Sequence, residues 1–347
     1  MSDDRELVAQ SAADLLQHLG GLKHARAVRD GWPKVDRAAW KAMADAGWIG
    51  TLVPESAGGS GMDALDACAL LEAAGEWLAP EPLAAAIAAA TALANHAVLP
   101  SVLSGERLVL PALDAYDGEA AVRAQGKGEA LVLDGTIANV VDGHWATDFL
   151  VPARIGDETV LALVAANAKG VAYAPVATVD GGGVGELRLE RAPALLVATG
   201  DAARVALGTL ADLSSLGRAA LLSGLMRRAL AMTVEYLKTR QQFGRPIGAN
   251  QVLQHRAATA QVEVTVTGAL VREGWRAVGT ARQRVGASAA AARASAAAMR
   301  VTKECIQLHG AIGFTDEYDI GLFLRRAMAL AGACGGEDAN LSRYAAS

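Results

Sequence analysis

The sequence predicts an α+β protein in which a helical segment, a segment of antiparallel strands and a second helical segment follow one another. The prediction rests on the spacing of apolar residues, which recur every three or four positions near both ends and every second position in the middle. We expect an N-terminal helical domain over 1–107, a middle β-domain over 108–197 and a C-terminal helical domain over 198–347. Strands without intervening helices indicate a small barrel or sandwich and not a nucleotide-binding βαβ sheet.

The N-terminal segment shows leucines at helical spacing, namely Leu65, Leu70, Leu71 and Leu78. The glycine-rich stretch 58–61 predicts a loop, because glycine interrupts helices. Asp63 stands before the next helical pattern, where its carboxylate would accept hydrogen bonds from free backbone N–H groups. Short helices joined by a loop are therefore expected here.

Turn residues divide the middle segment into strands. Asp134-Gly135 and Gly156-Asp157-Glu158 each separate two apolar runs, which predicts two hairpins. Alternation over 184–189 predicts a further strand. No helical pattern follows Gly181-Gly182-Gly183, so we interpret these glycines as a connecting loop and not as a phosphate-binding loop.

The C-terminal segment predicts a four-helix bundle. One apolar stripe consists of Leu221, Leu225, Ala229, Met232 and Tyr236. The range 286–299 is so rich in alanine that close packing between helices is its natural use. Several long helices of this kind are typical of a bundle.

Composition excludes several classes of protein. The chain has 347 residues, 52% of them hydrophobic, and a net charge of −5, which argues against disorder and against a nucleic-acid partner. The three cysteines are Cys68, Cys305 and Cys334, and their wide spacing supports neither a disulfide framework nor a metal site.

No targeting or membrane segment is predicted. The first 25 residues contain four acidic residues and no apolar run, unlike a signal peptide. The stretch 82–104 is uncharged but consists largely of alanine, with Asn95 and His96 inside it, so a buried helix is the better interpretation. We expect a cytoplasmic protein without a membrane span.

One stretch stands out electrostatically. Residues 217–256 carry seven basic side chains and one acidic side chain, a local charge of +6 in a chain whose total is −5. A solvated helix face would explain this charge. A site for a phosphorylated ligand would explain it equally, because guanidinium groups pair with phosphate oxygens through two hydrogen bonds.

Three local sequences resemble the acyl-CoA dehydrogenase family. They are KTRQQFG over 238–244, followed by PIG over 246–248 and Gln251, then QLHGAIGFTDE over 307–317, and WKAMADAGW over 40–48 with VPE over 53–55 and two glycines at 58–59. They occur in the order and spacing of that family. The resemblance implies an N-terminal helical domain, a middle β-domain and a C-terminal four-helix bundle.

The resemblance also implies FAD as cofactor, bound across a subunit interface. In the family, an arginine contacts the pyrophosphate, an aromatic residue packs on the cofactor, and a glutamine motif holds the adenosine side. The matching positions here are Arg240, Phe243, Gln251, Gln307, His309 and Gly310. From the residues alone, Phe243 could be an ordinary core residue, and a histidine such as His309 more often caps a turn than contacts a ligand. Ala311 replaces a frequent second glycine.

The catalytic base of the family has no counterpart at its two usual positions. The reaction removes a proton beside the thioester carbonyl, which needs a carboxylate in a dry pocket. One family position corresponds to Gly217, directly before Arg218, and the other to Cys334. Glu337 would reach the second position only through a shift in register. We therefore expect that this chain supplies no base.

The middle segment departs from the family as well. PALDAY over 111–116 stands where the family carries a TEP-like segment, and DGTIANVV over 134–141 lacks the tryptophan of the strand beside the flavin ring. The half of the site that would contact the flavin ring is therefore degenerate. The half for the pyrophosphate and adenosine is retained.

This asymmetry is similar to that of acyl-CoA dehydrogenases built from two homologous chains, known from bacterial steroid side-chain degradation. The resemblance implies a longer partner chain, an assembly with two copies of each chain, an acyl-CoA substrate, and an electron-transfer flavoprotein or similar acceptor. Two alternatives stay open. One is a self-sufficient homo-oligomer with Glu337 or Asp338 as base, and the other is a non-catalytic scaffold that has lost the cofactor.

Overall fold

A computed structural model describes residues 3–113, 121–242, 244–333 and 335–346. Phe243, Cys334 and the second half of the PALDAY stretch, 114–116, lie outside the described residues. The first helices are α1 Asp3–His18, α2 Leu22–Asp30, α3 Arg37–Asp45, α4 Ala64–Glu76, α5 Leu83–Ala92 and α6 Leu99–Leu103. The strands that follow are β1 Val109–Pro111, β2 Val122–Lys127, β3 Ala130–Val141, β4 Asp148–Ile155, β5 Glu158–Ala165, β6 Val171–Ala177 and β7 Gly183–Thr199.

The C-terminal part returns to helix, as the sequence predicts. Its elements are α7 Gly200–Thr239, the short strands β8 Gln241–Gln242 and β9 Arg245–Pro246, then α8 Gln251–Arg276, α9 Gln283–His309, α10 Ile320–Gly332 and α11 Gly336–Ala345. The changes between helix and strand fall close to the predicted limits at 107/108 and 197/198. The division into three domains at those limits stays a prediction.

The chain packs into two compact units. One contains Met1–Arg29, Ala64–Ala79 and Ser215–Ser347, and the other contains Asp30–Asp63 and Pro80–Ser214. The first holds most of the long helices. The second holds strands β1 to β7.

The strands of the second unit close into a small barrel. β4 pairs with β5, β5 with β7, β7 with β3, β3 with β2, and β2 again with β4, while β1 and β6 add to β4 and β7. Buried side chains such as Leu133, Phe149, Val151 and Leu187 fill the interior. The prediction of antiparallel strands is wrong for two pairings, because β4 runs parallel to both β1 and β2.

One of the two predicted hairpins is also wrong. β4 and β5 form the hairpin expected around 156–158, but β3 continues through Asp134-Gly135 without turning. Gly135 has φ +147° and lies at a shift in the pairing between β3 and β7, so it marks a bulge. The hairpin turn lies instead between β2 and β3, where Lys127 pairs with Ala130.

The helices of the first unit approach closely at glycines. A methyl group at Gly224 of α7 would lie 1.8 Å from the carbonyl oxygen of Glu72 in α4, and one at Gly75 would lie 2.0 Å from that of Leu221. Gly274 of α8 likewise meets the backbone of Gly286 in the alanine-rich α9. The small residues thus permit the close packing that the sequence predicts.

Helix α7 is long and apolar enough to cross a membrane by length and composition alone. However, 67% of its most apolar stretch is buried inside the fold. This burial is typical of a core helix. Cys68 and Cys305 are buried and unbridged.

Candidate cofactor half-site

Arg240 follows the end of α7 at a tight turn. Its backbone N–H donates to the carbonyl oxygen of Tyr236 at 2.8 Å, and its own carbonyl accepts from Ile247 at 2.8 Å. The side chain is exposed. Among the described residues, no hydrogen bond or ion pair engages its guanidinium group. The turn therefore presents an uncommitted cation.

The other basic residues of the 217–256 stretch are committed within the chain. Arg227 pairs with Glu72 and Glu76, and the guanidinium carbon of Arg228 lies 4.9 Å above the ring of Trp77. The remaining partners are Glu235 for Lys238, Asn250 for Arg245 and Glu304 for Arg256, while Arg218 also has a partner. Since they are engaged, Arg240 is the residue of this stretch that suits a phosphate.

Buried Glu72 explains why so many cations converge on α4. Its Oε1 accepts from the Ser223 hydroxyl at 2.7 Å and lies 3.4 Å from Arg272, while its Oε2 accepts from Arg227 at 3.1 Å. A carboxylate that is 5% exposed requires such partners to offset its desolvation. Arg227 and Arg272 therefore stabilise the fold by compensating the buried charge of Glu72.

Gln251 opens α8 and lines a cleft between α8 and α9. The cleft has a volume of about 560 Å³ and is lined by Gln251, Val252, His255, Arg256, Thr259, Ala260, Glu263, Arg300, Val301 and Glu304. Its charged residues pair with one another or with Arg293, through Arg256 to Glu304 and Glu263 to Arg293 and Arg300. Gln251 itself is exposed.

Gln307 and Gly310 lie where α9 ends. Gln307 is exposed, and Gly310 turns the chain with φ +66° while its N–H donates to the Gln307 carbonyl. A side chain at this φ would be strained, so glycine suits the turn. The turn leaves the Gln307 side chain and the Gly310 backbone accessible to a ligand.

His309, by contrast, is buried, with only 3% of its surface exposed. Its Nδ1 lies 2.8 Å from the Cys305 carbonyl oxygen, which only accepts, so Nδ1 carries the proton and donates. The ring stacks on Tyr236 with centroids 4.5 Å apart, and Tyr318 lies 5.0 Å away. Burial lowers the pKa of His309, which favours the neutral ring.

The candidate residues therefore divide into two groups. Arg240, Gln251, Gln307 and Gly310 are exposed in the helical unit, whereas His309 is buried. The buried Nε2 of His309 has no hydrogen-bond partner among the described residues. The sequence analysis did not predict that His309 stacks between aromatic rings. The presence of Tyr236 and Tyr318 in the sequence is the one signal for it, and their spacing does not connect them to His309.

The usual positions of the catalytic base contribute no carboxylate in the described part of the chain. Gly217 is buried inside α7. Glu337 and Asp338 are exposed in the first turn of α11. In the same described residues, no cluster of three or more His, Cys, Asp or Glu side chains is arranged to hold a metal ion.

The family models decide the assignment. The N-terminal domain model of the acyl-CoA dehydrogenases matches residues 2–101, and their C-terminal domain model matches residues 201–347. The chain is also 33% identical to acyl-CoA dehydrogenase FadE27 of Mycobacterium tuberculosis, over 96% of both chains. The chain belongs to the acyl-CoA dehydrogenase family. Members of this family bind FAD.

Solved acyl-CoA dehydrogenase structures share the whole fold. A chain of the ChsE4–ChsE5 complex from Mycobacterium tuberculosis is 31% identical, with a TM-score of 0.90 over 100% of this chain and 97% of that one. A chain of the Tcur3481–Tcur3483 steroid acyl-CoA dehydrogenase, in its G363A variant, is 30% identical, with a TM-score of 0.89 over 99% and 97%. The predicted fold class is confirmed.

The exposed residues of this acyl-CoA dehydrogenase chain fit part of FAD. Arg240 offers an uncommitted guanidinium for a pyrophosphate, and Gly310 offers backbone that a ligand approaches closely. Gln251 and Gln307 offer amide groups that both donate and accept, as an adenosine requires.

Proposed function

We propose that this chain is a subunit of an FAD-dependent acyl-CoA dehydrogenase that works together with a longer homologous chain. In this proposal, it supplies the outer half of the FAD site, which contacts the pyrophosphate and the adenosine. The observation that carries the proposal is Arg240, an exposed guanidinium that has no partner among the described residues, in a stretch whose other cations are engaged. An arginine of this kind suits a phosphate ligand.

The residues of this chain would bind and orient the cofactor. Arg240 would pair with pyrophosphate oxygens, and Phe243 would pack on the cofactor. Gln251, Gln307 and Gly310 would hold the adenosine side, with His309 supporting them from within the fold. When bound, FAD supplies the acceptor for the hydride that leaves the acyl chain.

The proton that leaves the carbon next to the thioester carbonyl would be taken by the partner chain. Gly217 has no side chain that accepts a proton, and a thiol at position 334 is a poor base unless an electropositive site favours its thiolate. A carboxylate base in the partner would complete the site. The reaction is then the α,β-dehydrogenation of an acyl-CoA thioester.

The names of similar proteins support a mixed assembly and a bulky substrate. Two structural relatives, 31% and 30% identical to this chain, belong to complexes of two differently named chains. One of these complexes is described as a steroid acyl-CoA dehydrogenase. We propose a steroid side-chain or other bulky acyl-CoA as substrate, and an assembly with two copies of each chain. An electron-transfer flavoprotein or similar protein would accept the electrons, and the assembly would be cytoplasmic.

The colour of the purified protein tests this function. The chain expressed alone should be colourless, and the chain co-expressed with the longer homologue should be yellow and bleach when the substrate is added. A yellow isolated chain that bleaches with acyl-CoA would support a self-sufficient homo-oligomer instead. Lack of FAD in every pairing would support a non-catalytic scaffold.

A further inference from the structure

Three arginines converge on one carboxylate just after the predicted adenosine motif. Arg29 donates from Nη1 and Nη2 to the two oxygens of Asp316, at 2.8 and 2.7 Å, and Arg325 donates to Oδ1 at 2.8 Å. Arg26 lies 3.0 Å from Asp316 Oδ2 and donates to Asp319 at 2.6 Å. We call these five residues the Asp316 cluster.

The cluster connects three parts of the helical unit. Arg26 and Arg29 belong to α2, Arg325 belongs to α10, and Asp316 lies in the loop that joins α9 to α10. This loop begins at Gly310, where α9 ends. The cluster therefore joins the loop both to α2 and to α10.

Apolar packing does little to hold the outer part of this loop. Phe314 is 76% exposed, and Thr315 donates to the nearby Ile312 carbonyl oxygen through both its backbone N–H and its hydroxyl. Gly313 is the buried point of the loop, where a methyl group would lie 2.7 Å from the Ile306 carbonyl oxygen. Between Gly313 and Tyr318, whose ring packs against His309, the ionic contacts of Asp316 hold the chain.

The geometry makes this cluster stronger than an ordinary surface ion pair. An isolated exposed ion pair contributes little to stability. A bidentate arginine–carboxylate contact within a network orders the carboxylate far better than such a pair does. The hydrogen bonds from Arg29 and Arg325 hold the pKa of the Asp316 carboxyl well below its usual range. Asp316 is therefore charged at neutral pH.

We infer that Asp316 is a positioning residue for the cofactor half-site. Through its three arginines it holds the loop from Gly310 to Asp319, so that Gln307 and the Gly310 backbone stay oriented toward a dinucleotide. This inference rests on the proposed function. Arg26 and Arg29 of α2 lie far from Asp316 in the sequence. In this inference they affect the affinity for the cofactor without contacting it.

The test uses the co-expressed two-chain complex and two measurements. The first is the dissociation constant of FAD, and the second is the hydrogen-exchange rate of the amides at 311–318. Asp316→Asn keeps the shape but removes the charge, and Asp316→Glu restores it. Asp157→Asn is the matched control, because Asp157 pairs with Arg154 on the exposed surface of the other unit.

We expect Asp316→Asn to weaken FAD binding about tenfold and to accelerate exchange at 311–318 by a similar factor. Asp316→Glu should recover most of the affinity, and Asp157→Asn should change neither quantity. Faster exchange with unchanged FAD affinity would overturn the inference, because the cluster would then serve structure alone. Unchanged exchange would overturn it too. A wild-type complex without FAD would overturn the proposed function itself and this inference with it.

Discussion

Tyr236 and His309 stack with ring centroids 4.5 Å apart and an angle of 25° between their planes. Tyr236 accepts the backbone hydrogen bond of Arg240, and His309 directly precedes Gly310. The two segments that would contact the FAD pyrophosphate and adenosine are thereby joined behind the surface. The packing of these two rings therefore fixes the position of one segment relative to the other.

Replacing His309 by alanine should loosen this connection. The change removes a buried ring and its aromatic contacts, which together contribute about 1–3 kcal/mol. We expect the free energy of unfolding, measured by urea denaturation followed by far-ultraviolet circular dichroism, to fall by that amount. His255→Ala is the control, because His255 is exposed on α8 and should be neutral. Equal stability of the two variants would show that the stack is unimportant.

The same histidine predicts a pH dependence. Burial lowers the pKa of His309 and of His144, while in the unfolded chain a histidine titrates near about 6.5. Below that pH the unfolded state binds more protons than the folded state. The contribution of these histidines to the free energy of unfolding is therefore fully present above a pH of about 6.5 and is lost as the pH decreases. His309→Phe should reduce this loss between pH 7.5 and 5, as measured by urea denaturation at each pH. An unchanged slope would contradict the prediction.

Gly224 should tolerate no side chain. A methyl group there would lie 1.8 Å from the Glu72 carbonyl oxygen, so Gly224→Ala must push α4 and α7 apart. Overpacking of this kind costs about 1–3 kcal/mol or more. Gly208 of the same helix has no atom within 4 Å of such a methyl group.

Gly208→Ala is therefore the matched control, and it should stabilise the protein by about 0.5–1 kcal/mol, because alanine favours helix. Thermal unfolding of both variants checks the pair. A Gly224→Ala protein as stable as the wild type would mean that the two helices do not touch at this point.

Cys334 and Glu337 should both prove dispensable as bases. Cys334→Ala and Glu337→Gln should each leave turnover of the assembled two-chain enzyme within about threefold, or about 0.7 kcal/mol in barrier. A true base would cost about 10²–10⁴-fold, because positioned proton transfer contributes that much. Dye-linked dehydrogenation measures the rate. A large loss in either variant would place the base in this chain.

Local signals in the sequence predicted the order of helices and strands, because hydrophobic spacing reports on nearby residues. The hairpin predicted at Asp134-Gly135 was wrong, because glycine occurs in turns and in bulges alike. The pairing of β3 with β7, which is distant in sequence, makes this glycine part of a bulge. The contact of Arg29 with Asp316 spans 287 positions, so no spacing rule reveals it. His309 matched a family motif, but its burial depends on Tyr236 and Tyr318, which only the fold brings together.

The affinity of the two-chain complex for FAD tests the central claim most directly. Arg240→Ala should weaken FAD binding about 10–100-fold, because a charge-assisted hydrogen bond contributes about 1.5–3 kcal/mol. Arg204→Ala is the control, since Arg204 is exposed at the opposite end of α7 and pairs with Asp201. If the Arg240→Ala chain assembled with its partner and kept the full FAD affinity and full activity of the wild type, this chain would not supply the pyrophosphate half of the site.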